Sequence, residues 1–279
     1  MPKPLNYGWR WFATGMSFLV FGITAALFSV LLFPVCCLWP FPSTRQRTVT
    51  TLIHWYFRSV VAVLQWVGVM SLEVSGRAAL RSNQPGVVVA NHPTYLDVIV
   101  LLALIPSACC VVKHVHWRNP CLWGIVRAAG YVSNADPVAL VDQSVARIAA
   151  GYTMIIFPEG SRSPQLHELH LADHRAFRPG ACPTLHPFCR GFAHIALKSM
   201  APVVPVLIHC HPLAFTKRMR WYDVPVEPFC LRITVIDTVD SLPPSAQGEP
   251  SSIHTARTLT TFVETTIKRR LIEYGYFET

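Results

Sequence analysis

The chain has 279 residues, room for one catalytic domain with a membrane-anchoring segment rather than a string of domains. Hydrophobic residues make up 52% and charged residues 14%, which sets it apart from disordered chains and from ordinary water-surrounded enzymes. The net charge of +9 suits anionic headgroups or phosphorylated substrates; with no nucleic-acid motif and no dense Lys/Arg tract, no nucleic-acid partner is expected.

From Trp11 to Thr44 no residue is charged, and the apolar part from Trp11 to Phe33 predicts a helix. At roughly 1.5 Å per residue it would be about 35 Å long, enough to cross a bilayer or to lie in one leaflet. Pro34, Pro40 and Pro42 end or kink it. The run is long for a cleaved signal sequence and no A-x-A site follows, so an uncleaved anchor is expected over residues 1–46. A second apolar stretch, Val49 to Met70, carries only Arg58 as a charge. Its Trp55, Tyr56 and Trp66 suit headgroup depth, so residues 47–68 read as an interfacial helix; an ordinary buried helix is the alternative.

Residues 69–279 change texture and predict a catalytic α/β domain, a sheet flanked by helices. Strands are expected at Val69–Val74, Gly86–Ala90, Cys109–Lys113, Met154–Phe157, Val203–Ile208 and Leu231–Ile236. Helices are expected at Val138–Ala150, Arg190–Lys198 and Ser251–Glu273, the last with Leu259, Phe262, Val263 and Ile267 on one face. Ser241–Ser252, rich in Pro and Ser, reads as a loop. The nine cysteines form no C-x-x-C pair, which favours reduced, buried thiols and a reducing compartment over zinc or a disulfide framework.

Two segments carry chemistry. Asn91-His92-Pro93-Thr94-Tyr95-Leu96-Asp97 follows a buried strand, where α/β folds place their sites. An Asp five residues after His92 can fold back to one ring nitrogen and leave the other free as a base. The plainer alternative is a helix start near Leu96, with Asp97 merely favourable in its first turn. Phe157-Pro158-Glu159-Gly160-Ser161-Arg162-Ser163 also follows an apolar strand. It offers an acceptor, a permissive backbone and a forked cation suited to phosphate, or else a surface turn with a solvated ion pair.

Together these segments resemble the lysophospholipid (1-acylglycerol-3-phosphate) acyltransferase family, whose hallmark is N-H-x-x-x-x-D followed by F-P-E-G-x-R-S. Ser161 stands where the family usually has Thr. Phe188-Cys189-Arg190-Gly191 with Ala193 and Ala196, then Ala201-Pro202-Val203-Val204-Pro205-Val206, resemble the family's F-x-x-G helix and proline-bracketed strand, and Lys113, Pro120, Gly124 and Gly130 fit the segment between the motifs.

The resemblance implies an α/β domain behind an N-terminal two-helix membrane motif, and fatty acyl transfer from a thioester of CoA or acyl carrier protein to a lipid hydroxyl. It implies His92 as base and Asp97 as its orienting partner. It also implies Glu159, Gly160, Ser161 and Arg162, with Lys113 and Arg190, as substrate-binding residues, no metal, and no cofactor beyond the donor. Membrane lipids and the acyl donor are the implied partners, at a membrane that is expected to be the bacterial inner membrane with the catalytic domain facing the cytoplasm.

The chain departs from the family pattern in two places. An Arg that helps to bind acceptor phosphate is missing near Asn134 and Asp136, so the acceptor need not be a plain lysophosphatidate. An insertion from Pro164 to Pro187 holds His167, Glu168, His170, His174 and His186, and reads as a polar lid over the acceptor site or as a metal site. The metal reading would make the chain a membrane-anchored metallohydrolase. The run Lys217 to Pro225 resembles a stretch of acyltransferases found with aryl-polyene and related lipid pathways, which keeps a polyene-lipid acceptor open.

Overall fold

The computed structural model of the protein describes residues 3–32, 38, 40–81, 84–164, 185–217, 219–220, 222–239 and 255–273. Among them are seven strands, β1 (Met70–Ser75), β2 (Val87–Ala90), β3 (Ala108–Val112), β4 (Val132–Ser133), β5 (Thr153–Ile156), β6 (Val203–His211) and β7 (Phe229–Val235). They form one sheet in the order β1-β7-β6-β2-β5-β3-β4. β6 and β7 run antiparallel, and every other neighbouring pair is parallel. The helices are α1 (Lys3–Leu27, running into a π-helical turn Phe28–Leu32), α2 (Pro42–Trp66), α3 (Arg77–Leu80), α4 (Leu96–Leu104), α5 (Pro120–Ala128), α6 (Pro137–Ala149), α7 (Gly191–Ser199) and α8 (Ala256–Glu273).

The α/β expectation is met, and the burial pattern says why. β2 is an unbroken Val-Val-Val-Ala run buried on both faces, as a central parallel strand must be. The edge strand β1 buries Met70 and leaves its later residues partly or fully exposed. Gly86 opens β2 where the chain runs close to its neighbour: a Cβ there would lie 2.9 Å from the Pro202 carbonyl oxygen.

β2 and β5 are parallel neighbours, with Val89 opposite Ile156, so their C-terminal ends lie side by side on one edge of the sheet. Both chemical segments leave from that edge. β3, on the other side of β5, ends on the same edge at Val112, just before Lys113.

The two N-terminal helices begin earlier than the charge-free windows suggest. α1 starts at Lys3 and α2 at Pro42, a residue well suited to a first helical position. Arg10 does not interrupt α1, because it is 2% exposed and its guanidinium bonds the Val226 carbonyl. α1 lies along α2: Trp9 Nε1 donates to the Val67 carbonyl at 2.9 Å, and Phe21 stacks on Tyr56 and Phe57 at 6.4 and 6.3 Å. α2 in turn buries Val49, Ile53, Val61 and Leu64, and His54 Nδ1 lies 2.8 Å from the Leu102 carbonyl of α4. One face of α2 is thus buried against the rest of the protein. The other face exposes Leu52, Trp55, Val63 and Trp66.

α8 buries Leu259, Thr260, Val263, Ile267 and Leu271, a row advancing mainly by four residues. Phe262, expected on that face, sits beside the row and is 44% exposed.

Candidate active site

β2 ends in a buried asparagine. The Asn91 side chain donates to the Ile208 carbonyl at 2.9 Å and accepts from the Ile208 N–H at 2.7 Å, which ties the end of β2 to β6. The next residue, His92, is thus delivered from a fixed point. Pro93 and Thr94 turn the chain, and α4 begins at Leu96 with Asp97 in its first turn. The helix-start alternative is therefore true in part, and the same turn returns the carboxylate to the histidine.

Asp97 Oδ2 lies 2.8 Å from His92 Nδ1. The carboxylate also accepts the Thr94 N–H at 2.7 Å and the Thr94 hydroxyl at 2.6 Å, and Asp97 is 0% exposed. Three short donors offset the cost of enclosing the charge. The acceptor on Nδ1 sets the neutral tautomer, with the proton on Nδ1 and a free lone pair on Nε2. Nε2 has no hydrogen-bond partner among the described residues, and the His92 side chain is 18% exposed. The imidazole also stacks on Phe157 at 4.3 Å and 29°, so its plane is held by packing as well.

The second segment is stitched to the first through Glu159. The reading from sequence puts Glu159 among the substrate-binding residues; in the structure its carboxylate is turned to the surrounding loops. Oε1 accepts the His92 N–H at 3.0 Å and the Ser163 hydroxyl at 2.6 Å, and Oε2 accepts the His186 N–H at 2.9 Å. Glu159 is 7% exposed, and burial pushes its carboxyl up to about 7 against the pull of those donors. Both oxygens are engaged inside the protein, so Glu159 braces the loops on which His92 and Ser163 stand. The Ser163 N–H completes the clasp on the His92 carbonyl at 2.7 Å.

Gly160 has φ 65°, the left-handed region that favours glycine, and nothing crowds the place of its missing Cβ. After it, the main-chain N–H groups of Ser161 and Arg162 have no acceptor among the described residues, an arrangement suited to an anion. Arg162 donates from Nη1 to the carbonyls of Thr216 at 2.7 Å and Phe215 at 3.3 Å, and its guanidinium lies 3.6 Å from the centre of the Tyr95 ring. Its Nε and Nη2 make no hydrogen bond among the described residues.

Lys113 and Arg190 are exposed, and their side chains form no hydrogen bond or ion pair among the described residues. Arg190 caps α7 beside the site, where the Cys189 N–H bonds the Pro158 carbonyl at 2.9 Å. Asn134 and Asp136 are committed to local structure. Asn134 Oδ1 accepts the His114 N–H at 2.9 Å, and Asp136 caps α6 through the Val138 N–H at 2.8 Å.

Tyr95 and Phe215 are the residues of this site that the sequence reading did not single out. An aromatic inside the first motif was the available signal for Tyr95; nothing marked Phe215. Cys109 and Cys210 are buried free thiols pushed up to about 12 by that burial, which makes them poor nucleophiles. Most of the histidine-rich insertion, residues 165–184, lies outside the described residues, as do Arg218 and Trp221 of the basic–aromatic run.

The family model described as Acyltransferase matches residues 71–209. A 1-acyl-sn-glycerol-3-phosphate acyltransferase of Cocos nucifera is 26% identical over 225 residues, 77% of this chain and 63% of its own length. The 1-acyl-sn-glycerol-3-phosphate acyltransferase alpha of Mus musculus is 24% identical over 71% of this chain, which again spans 63% of the relative. The crystal structure of the 1-acyl-sn-glycerophosphate acyltransferase of Thermotoga maritima superposes with a TM-score of 0.67 at 19% identity, over 95% of both chains, and shares the fold.

Proposed function

We propose that this chain, which resembles the acyltransferase family, moves a fatty acyl group from a thioester of CoA or acyl carrier protein to the hydroxyl of a lysophospholipid, by default 1-acylglycerol-3-phosphate. The observation that carries this reading is the enclosed His92–Asp97 pair at 2.8 Å with Nε2 left free. Nε2 takes the proton of the acceptor hydroxyl as its oxygen attacks the thioester carbonyl. The resulting tetrahedral oxyanion collapses with cleavage of the carbon–sulfur bond. The imidazolium returns its proton to the leaving thiolate, and Asp97 stabilises the cation in between.

No acyl-enzyme is required. The free N–H groups of Ser161 and Arg162 are the nearby main-chain donors for phosphate or oxyanion, and Arg162 offers its Nε–Nη2 edge to the acceptor phosphate. Asn134 and Asp136, both spent on local turns, add no cation, so an acceptor other than lysophosphatidate, a polyene lipid included, is the second reading.

The reading also places the enzyme on a membrane. Asn6–Leu27 is long and apolar enough to cross one, and little of it is buried against the protein. One face of α1 is docked on the protein through Arg10, Ala13 and Thr14, while Phe12, Leu19, Val20 and Ile23 are exposed. Together with the exposed Leu52, Trp55, Val63 and Trp66 of α2, this favours a helical pair embedded in one leaflet. The buried thiols suit a reducing side, such as the cytoplasmic face of a bacterial inner membrane.

The test is to incubate purified protein with acyl-CoA and acyl-carrier-protein donors against a panel of lysolipids and to identify products by mass spectrometry. The account expects an acylated phospholipid and loss of one thioester per product. Hydrolysis alone, or transfer to no lipid hydroxyl, would overturn it.

A further inference from the structure

Arg162 is gripped on one edge and one face. Nη1 reaches the adjacent carbonyls of Phe215 and Thr216, and the Tyr95 ring lies under the guanidinium plane at 3.6 Å. Both carbonyls meet one nitrogen because Phe215 has φ 55°, a left-handed conformation unusual for a bulky side chain. Packing holds it there. Phe215 is 4% exposed, and its ring stands edge-on to Phe229 of β7 at 5.6 Å and to Phe18 of α1 at 5.5 Å. The Phe215 carbonyl also accepts the Tyr95 N–H at 3.3 Å, so one residue fixes both the ring beneath Arg162 and the carbonyl at its edge.

We propose that Phe215 is a positioning residue for Arg162 and that α1, through Phe18, clamps it, so that the membrane-facing helix sets affinity for the acceptor's phosphate. This rests on reading Arg162 as the phosphate ligand. A guanidinium with one edge and one face occupied presents its remaining edge in a single orientation, as two-point binding of a phosphate requires. Ordering that edge in advance lowers the cost of binding. The Phe215 segment lies beyond residues 71–209 that the family model matches, and the ring that clamps it lies before them.

The experiment uses the full chain in detergent micelles, with acceptor and donor varied in turn. Phe18→Ala is expected to raise the acceptor KM about three- to ten-fold, leave the donor KM and kcat within about two-fold, and be largely rescued by Phe18→Leu. Tyr95→Leu, at an exposed ring, should raise the acceptor KM about two- to five-fold. In an Arg162→Gln background neither change should move the acceptor KM further, because both act through the same guanidinium. Equal effects in both backgrounds, or a lowered melting temperature with unchanged KM, overturn the positioning role. If Arg162→Gln itself leaves the acceptor KM unaltered, the phosphate-ligand reading fails first and this proposal falls with it.

Discussion

The carboxylate of Asp97 is wholly enclosed, and its Oδ2 lies 2.8 Å from Nδ1 of a histidine that still reaches solvent. One residue therefore does two things. Its oxygens bind both the N–H and the hydroxyl of Thr94 and so shape the first turn of α4, and the same group orients His92. Two distinguishable mutational phenotypes follow from that overlap.

Asp97→Asn should lose stability as well as activity. The amide cannot accept from every donor that the carboxylate serves, and an unsatisfied buried donor costs about 1–3 kcal/mol. Denaturant unfolding beside steady-state rates checks this; an Asn variant as stable as the parent contradicts it.

Glu159 should make stability fall as pH rises. Burial raises its carboxyl from 4.5 to about 7, so the folded chain holds that proton more tightly than the unfolded chain. Its contribution is then fully present below about 4.5, declines across the window, and is lost above about 7. The rise corresponds to roughly 3 kcal/mol. The stability of the parent relative to Glu159→Gln, followed from pH 4 to 8, should decline through that window; a flat difference counts against the assignment.

Arg162→Lys should weaken acceptor use more than donor use. A lysine keeps the charge but cannot hold two carbonyls, a ring face and a phosphate edge together. An acceptor KM higher by about ten-fold with an unchanged donor KM is expected; the opposite pattern rejects it.

The two faces of α1 should respond differently to charge. Leu19→Glu with Ile23→Glu, both exposed, should release protein from vesicles without lowering its melting temperature. Ala13→Glu, on the docked face, should destabilise the fold. Flotation with thermal denaturation separates these; vesicle binding that survives the double substitution argues against a lipid-facing surface.

Much of this was legible in the sequence because the signals were local. The Val-Val-Val-Ala run announces a central strand, and the five-residue step from His92 to Asp97 closes within one turn. α4 entered only as an alternative helix start near Leu96, because Leu96–Leu104 is apolar on nearly every side, and a helix buried all round shows no period. The type and place of Glu159 suit a substrate contact; its hydrogen bonds to His92, Ser163 and His186 span segments that no pattern along the chain brings together. The Phe18–Phe215 contact joins residues nearly two hundred positions apart, beyond the reach of any pattern along the chain.

The central claim is that Nε2 of His92 removes the proton of the acceptor hydroxyl. The most direct measurement is single-turnover acyl transfer by His92→Ala, with melting temperature and vesicle binding measured on the same preparation. His92 is partly exposed, and its ring bonds only Asp97 among the described residues, so the variant should stay folded and membrane-bound. Its transfer rate should fall by about 10²–10⁴-fold, the usual contribution of a general base. A folded His92→Ala protein that transfers acyl groups at close to the parental rate would contradict the account.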